Sequence, residues 1–218
     1  MIGKKSENIL VFAGHAHRRL NGRMLMEHEV KFLDAEIPRV RRLLSQHDAT
    51  MIFDDVMETM YLDKPDRHFE NIGKSIRVRK KGDRTFITTK KRLQNAHNIK
   101  VCEEDETEVQ SLEETLRIFE ILGLSVYRRI VKHRESFRLS LGQVEIDTIL
   151  NTEPKIKPYV ELETESENEL QALAKLLKLP MREAKDWSTG KVIRNSGARL
   201  LSVRETRHHM RSFLNSAT

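Results

Sequence analysis

Apolar and polar residues alternate strictly through several short stretches of this 218-residue chain. Val30 and Phe32 alternate with Glu29 and Lys31, Ile76 and Val78 with Arg77 and Arg79, and Ile87 and Thr89 with Thr88 and Lys90. Val144 and Ile146 alternate with Glu145 and Asp147, and Val160 and Leu162 with Glu161 and Glu163. A period of two predicts β-strands, because successive side chains of a strand point to opposite faces. Strands are expected over 27–33, 75–80, 85–91, 127–141, 143–150 and 159–163, with shorter strand-like stretches at 50–53 and 58–62. Lys81-Gly82-Asp83 and Gly142 read as hairpin turns. A helix is expected from near residue 35, with acids in its first turn and Pro38 near its start. A second spans 111–122, with Leu112, Leu116, Phe119 and Leu122 as its apolar stripe and Gly123 as its stop. Ser166-Glu167-Asn168-Glu169 is a capping signature that opens a third helix, to about Lys178. The basic segment from roughly Arg199 to Leu214 is expected to be helical. An acidic stretch, a helix and a basic hairpin recur in that order over 27–91 and 104–150, which predicts two related halves of one sheet.

The 39 Lys and Arg against 33 Asp and Glu give a formal net charge of +6, which favours anionic partners. A single cysteine, Cys102, excludes an intrachain disulfide framework and fits a reducing compartment. No stretch approaches the ~20 apolar residues of a membrane span, and Ile9 to Ala13 is too short for a signal-peptide core. A soluble, cytoplasmic protein without membrane contact is expected.

The alternation sorts charge onto one face of the predicted sheet. Lys31, Arg77, Arg79, Lys90, Lys132 and Arg134 supply the basic groups; Glu27, Glu29, Asp147, Glu161 and Glu163 supply the acids. An open sheet with one solvated face would account for any one of these strands. A barrel closed around the charged face would need a wet, internally paired bore and a highly charged ligand, since burying an unpaired charge costs several kcal/mol. Arg and Lys suit phosphate oxygens. Clustered carboxylates suit a hard divalent cation such as Mg²⁺. A polyphosphate with its metal satisfies both sets, whereas nucleic acid accounts only for the basic one.

Five motifs in order then carry a family resemblance. They are Glu27-His28-Glu29-Val30-Lys31, Arg77-Val78-Arg79 with Thr88-Thr89-Lys90, Lys132-His133-Arg134, Val144-Glu145-Ile146-Asp147, and Tyr159-Val160-Glu161-Leu162-Glu163. Through them the chain resembles the CYTH superfamily, the triphosphate tunnel metalloenzymes, which includes class IV adenylate cyclases and thiamine triphosphatases. The resemblance implies an α+β fold: an eight-stranded antiparallel β-barrel, or tunnel, with helices packed outside. It covers roughly 26–180, so 24–180 is read as the tunnel domain, 1–23 as an N-terminal extension and 181–218 as a C-terminal helical extension. Met24 and Met26 stand just before the first strand as alternative starts. The resemblance further implies Mg²⁺ or Mn²⁺ held by Glu27, Glu29, Asp147, Glu161 and Glu163. Lys31, Arg77, Arg79, Lys90, Lys132 and Arg134 would grip the phosphates. Glu27, Glu29 and Lys31 would take part in catalysis, with Glu106 or Glu108 assisting water or metal.

The reaction expected is metal-dependent hydrolysis of a triphosphate, inorganic or organic. The alternatives are cyclisation of ATP to cyclic AMP with release of pyrophosphate, and polyphosphate binding without turnover. A homodimer stays open, and nucleic acid is disfavoured although Arg199, Arg204, Arg207 and Arg211 make the tail basic. His15 and His17 have metal-ligand spacing but no acidic or Cys partner nearby, and the adjacent His208 and His209 diverge on a helix. Trp187 is read as an anchor for the C-terminal segment.

Overall fold

A computed structural model describes residues 26–93 and 99–207. In chain order the elements are β1 (Met26–Phe32), α1 (Ile37–Gln46), β2 (Thr50–Asp63), α2 (His68–Asn71), β3 (Lys74–Lys81), β4 (Arg84–Arg92) and β5 (Lys100–Val109). There follow α3 (Leu112–Ile121), β6 (Ser125–Leu139), β7 (Gly142–Ile149), β8 (Thr152–Glu153), β9 (Tyr159–Thr164), α4 (Glu167–Leu176), α5 (Thr189–Asn195) and β10 (Arg199–Leu200). Eight strands close into an antiparallel barrel in the order β1-β5-β4-β3-β2-β6-β7-β9, so the expected α+β barrel is the observed fold. Among the described residues no helix is long and apolar enough to cross a membrane.

The barrel is inverted relative to a dry one: its aliphatic face points outward and is covered by helices. Val30, Phe32, Val144, Ile146, Val160 and Leu162 pack beneath Val40, Leu43 and Leu44 of α1 and Leu170, Leu173 and Ala174 of α4. Burial at this seam rather than propensity holds the short helices in place. Leu162 is fully buried, so Leu162→Ala is expected to cost about 2–5 kcal/mol in urea unfolding. A loss under about 1 kcal/mol would show that α4 does not seal this wall. At the β6–β7 turn, Gly142 has φ 147°, and a Cβ there would come within 2.4 Å of the Glu163 carbonyl oxygen. Only glycine lets this hairpin lie so close to β9.

Several boundaries differ from the sequence pattern. The two stretches at 50–53 and 58–62 are one strand, β2, paired with β6 along its length with register shifts between Met51 and Phe53 and between Tyr61 and Leu62. Asp54 and Asp55 break the apolar rhythm, yet both are exposed, so backbone pairing runs through them unopposed. α1 starts at Ile37 with Glu36 as its N-cap and no acid in its first turn. Leu122 caps the C-terminus of α3 and is exposed, while Leu112, Leu116 and Phe119 pack against Leu62, Val78 and Leu124. Arg199 and Leu200 form a strand with Glu153 and Thr152, so the expected helix starts not at Arg199 but at Val203, and it is helical to Arg207, the last described residue. Helix α5 went unread. His15, His17, His208, His209, Arg211 and the expected terminal helix beyond 207 lie outside the described residues.

Candidate functional site: a charged tunnel

Closing the barrel places the odd residues of β1, β3, β7 and β9 and the even residues of β4, β5 and β6 in one bore. The bore is a cavity of about 1090 Å³ lined by Glu27, Glu29, Lys31, Arg77, Arg79, Lys90, Lys132, Arg134, Glu161 and Glu163, among others. Cross-strand register then decides which charges meet. Lys31 bridges Glu29 and Glu161, the latter at 2.6 Å. Lys90 pairs with Glu27 at 2.7 Å and with Glu104, and lies 3.7 Å from Glu29. Arg134 donates to both oxygens of Asp147 at 2.7 Å and to Glu161 at 3.0 Å, and also meets Glu145. Thr88 donates to Glu106 at 2.8 Å, and Arg79 stands 3.8 Å from the same carboxylate.

Three expected members do not line that open cavity: Glu106, which Thr88 holds, Asp147 and Glu108. Asp147 is fully buried behind Arg134 and Lys132, because the β6–β7 register sets Arg134 directly opposite it, so it anchors the basic pair. Glu108 lies at the rim of β5, exposed and paired with Arg84 at 2.5 Å. Three inner residues had no place in the sequence-based sets. Lys100 reaches Glu29 at 2.5 Å, Glu104 receives Arg77 at 3.2 Å, and Glu145 faces Glu161 across β7 and β9. Lys100 and Glu104 share their face with Cys102, so period two alone could have found them.

The acids gather into two groups that share Glu163. One comprises Glu27, Glu29 and Glu163, the other Glu145, Glu161 and Glu163, with oxygens within 4.8 Å of one another in each. All-oxygen ligation of this kind fits a hard divalent cation. The electrostatics agree. Burial, with Glu27 and Glu161 close by, pushes the Glu163 carboxyl up to about 8. Burial also pushes Glu27 up, but the Lys90 and Lys100 ammoniums outweigh it and hold that carboxyl at about 2. The surplus of carboxylates over cations therefore falls on Glu163, which keeps its proton at neutral pH while its neighbours are ionised.

That surplus has a testable sign. A carboxyl raised from 4.5 to about 8 stabilises the folded state only while protonated, so stability of the cation-free protein falls as pH rises through that window. A cation binding at Glu163 displaces its proton. Mn²⁺ affinity is expected to rise with pH to about 8 and then level off, with roughly one proton released per ion near neutrality. Calorimetry in buffers of different ionisation enthalpy measures both, and an affinity flat between about pH 6 and 8 refutes the assignment.

On the basic side, Arg77 and Arg79 are neighbours on the inner face of β3. Burial and the Arg77 guanidinium lower the Arg79 pKa to about 10. Each of the two leaves a buried Nε–H without a protein partner. Burial and Arg134 likewise lower Lys132 to about 8. This wall is short of negative charge and has hydrogen-bond donors to spare.

A closed antiparallel barrel with opposed acidic and basic walls around an open bore defines a charged β-tunnel protein. The CYTH domain family model matches residues 25–186, and the chain belongs to that family. Its fold is similar to that of the PH1012 protein of Pyrococcus horikoshii, at 22% identity and a TM-score of 0.60, covering 74% of this chain and 96% of that one. A candidate adenylate cyclase of Vibrio parahaemolyticus aligns at 18% identity and a TM-score of 0.65, over 78% and 99%. A candidate adenylyl cyclase of Hippeastrum, with a dominant triphosphatase activity of its own, aligns at 15% identity and a TM-score of 0.57, over 81% and 98%. No curated protein matches the chain.

Proposed function

We propose that the protein is a Mg²⁺- or Mn²⁺-dependent triphosphatase that cleaves the terminal phosphoanhydride of a triphosphate held in the tunnel. The arginine pair on β3 carries this reading: two neighbouring guanidiniums, each with a buried, unpartnered Nε–H group, facing crowded carboxylates. A polyanion relieves the repulsion between Arg77 and Arg79 and accepts from the free donors. The Hippeastrum protein of the same fold, with its dominant triphosphatase activity, lends support.

Glu27, Glu29, Glu161 and Glu163, joined by Glu145, would hold the cation. When bound, the cation supplies Lewis-acid polarisation of phosphate oxygens. Arg77, Arg79, Lys132 and Arg134 orient the phosphates and offset charge that builds on the bridging oxygen. Water oxygen bonds to the terminal phosphorus, the bridging P–O bond breaks, and its electron pair leaves with the shorter phosphate. The protons of water pass to the phosphate product and solvent. Lys31, Lys90 and Lys100 hold the carboxylates of β1 in place on the opposite wall.

Purified protein offered tripolyphosphate, ATP and thiamine triphosphate with Mg²⁺ or Mn²⁺ tests this, with products separated by ion exchange. Release of the terminal phosphate is expected. Cyclic AMP with pyrophosphate would overturn the proposal in favour of a cyclase, and tight binding without turnover would remove the enzyme.

A further inference from the structure

One mouth of the tunnel carries aromatic chemistry that phosphate does not need. Tyr61, near the end of β2, and Tyr127, near the start of β6, line the cavity with ring centroids 6.4 Å apart at 60°. Guanidiniums layer onto them: Arg67 lies 4.0 Å from the Tyr127 centroid, and Arg128 lies 5.0 Å from Tyr127 and 5.8 Å from Tyr61. The layer is fixed from behind. Arg128 donates to Glu70 at 3.0 Å and lies against the bare Cα of Gly190, where a Cβ would come within 2.5 Å of it. Arg67 takes the left-handed conformation at φ 59°, unusual for a side chain of its size. Its loop is clamped by Asp63, whose carboxylate accepts from the backbone N–H groups of Lys64, Phe69 and Glu70 at 2.7, 3.0 and 2.9 Å. A strained residue in a braced loop holds a flat cation over a tyrosine at the open end of the bore.

We infer that this mouth receives a nucleobase, so that the substrate is a nucleoside triphosphate rather than inorganic tripolyphosphate or the triphosphate of a cationic heterocycle. The inference rests on the triphosphatase reading of the tunnel. Three observations carry it. At about 1090 Å³ the cavity matches the top of the ~300–1,000 Å³ range that encloses whole organic ligands, well beyond a bare phosphate chain. Bases stack on tyrosine rings and on guanidinium planes alike, for about 5- to 150-fold in affinity per base. Lastly, Arg67, Arg128 and Arg194 outnumber the acids beside them, Glu70, which Arg128 and Arg194 already share at 3.0 and 3.9 Å, and Asp63, whose carboxylate is taken up by backbone N–H groups. This excess of positive charge rejects a ring with a fixed cation and admits a neutral one. A longer inorganic polyphosphate would meet the charge of the arginines and make no use of the stacked guanidinium–tyrosine layer as a flat surface.

Calorimetry with ADP and with pyrophosphate, and kcat/KM for ATP, tripolyphosphate and thiamine triphosphate, test the inference on wild type, Tyr127→Ala and Tyr127→Phe. ADP is expected to bind at least about tenfold more tightly than pyrophosphate. Tyr127→Ala is expected to erase that preference and to lower the ATP-to-tripolyphosphate ratio of kcat/KM about tenfold, while Tyr127→Phe keeps the ring and the ratio. Pyrophosphate binding as tight as ADP, a ratio unmoved in Tyr127→Ala, or a preference for thiamine triphosphate over ATP each overturns it. Failure to turn over any triphosphate would overturn the triphosphatase reading instead. The comparison of ADP with pyrophosphate then decides the base site by itself, on wild type even where the alanine variant does not fold.

Discussion

Replacing Arg79 with alanine is expected to lower kcat/KM toward a triphosphate by about two to three orders of magnitude while leaving the thermal midpoint unchanged or slightly raised. A preorganised donor aimed at developing charge is worth that much in activity. In the free protein the same group is held at a cost. It is buried beside Arg77, its nearest carboxylate stands off at 3.8 Å, and its Nε–H has no protein partner. Removing a group that is repelled and under-bonded takes little from the fold. Kinetics with tripolyphosphate and ATP give the first quantity and a thermal scan the second. A variant destabilised by more than about 2 kcal/mol, or one that keeps full activity, would show Arg79 to be a structural cation.

Arg134→Ala is expected to behave in the opposite way and cost about 3–5 kcal/mol in urea unfolding. Its guanidinium joins Asp147, Glu161 and Glu145, and Asp147 has no exposure to water. Burial pushes the Asp147 carboxyl up, but Arg134 and Lys132 hold it well below the usual range. Deleting Arg134 leaves that buried charge to Lys132 alone. The double variant Arg134→Met with Asp147→Leu removes both halves and is expected to recover much of the loss, as buried pairs replaced together often do. A single variant losing less than about 1 kcal/mol would refute the network. Two arginines of one bore thus differ in what their loss costs the fold, according to how far carboxylates already neutralise them.

The inner faces of β1, β3, β4, β7 and β9 were legible because each charged residue alternates with an aliphatic one that the helices bury, as Glu161 does with Val160 and Leu162. What alternation does not contain is register. Asp147 and Glu145 are equivalent in a period-two pattern, and only the pairing of β6 with β7 sets Asp147 against Arg134 and leaves Glu145 beside Glu161. The same applies to Lys100, whose partner Glu29 lies on a strand 71 residues away in sequence. β2 was split because its exposed Asp54 and Asp55 carry no apolar signal. Tyr61 and Tyr127 were unremarked because neither sits in a charge motif, and their proximity follows from the pairing of β2 with β6.

The closed barrel has a kinetic corollary. Lys31 meets Glu161 across 130 residues of chain, and β1 joins both β5 and β9. Seams of such long sequence separation are slow to form, because loop closure must precede any gain from the contacts. Glu27 and Glu29 cannot join Glu163 until β1 has found β9, whereas Glu145, Glu161 and Glu163 come together once β7 pairs with β9. An intermediate without the β1–β9 seam therefore holds only half of the acidic wall, and full cation affinity during refolding should appear only once that seam has formed.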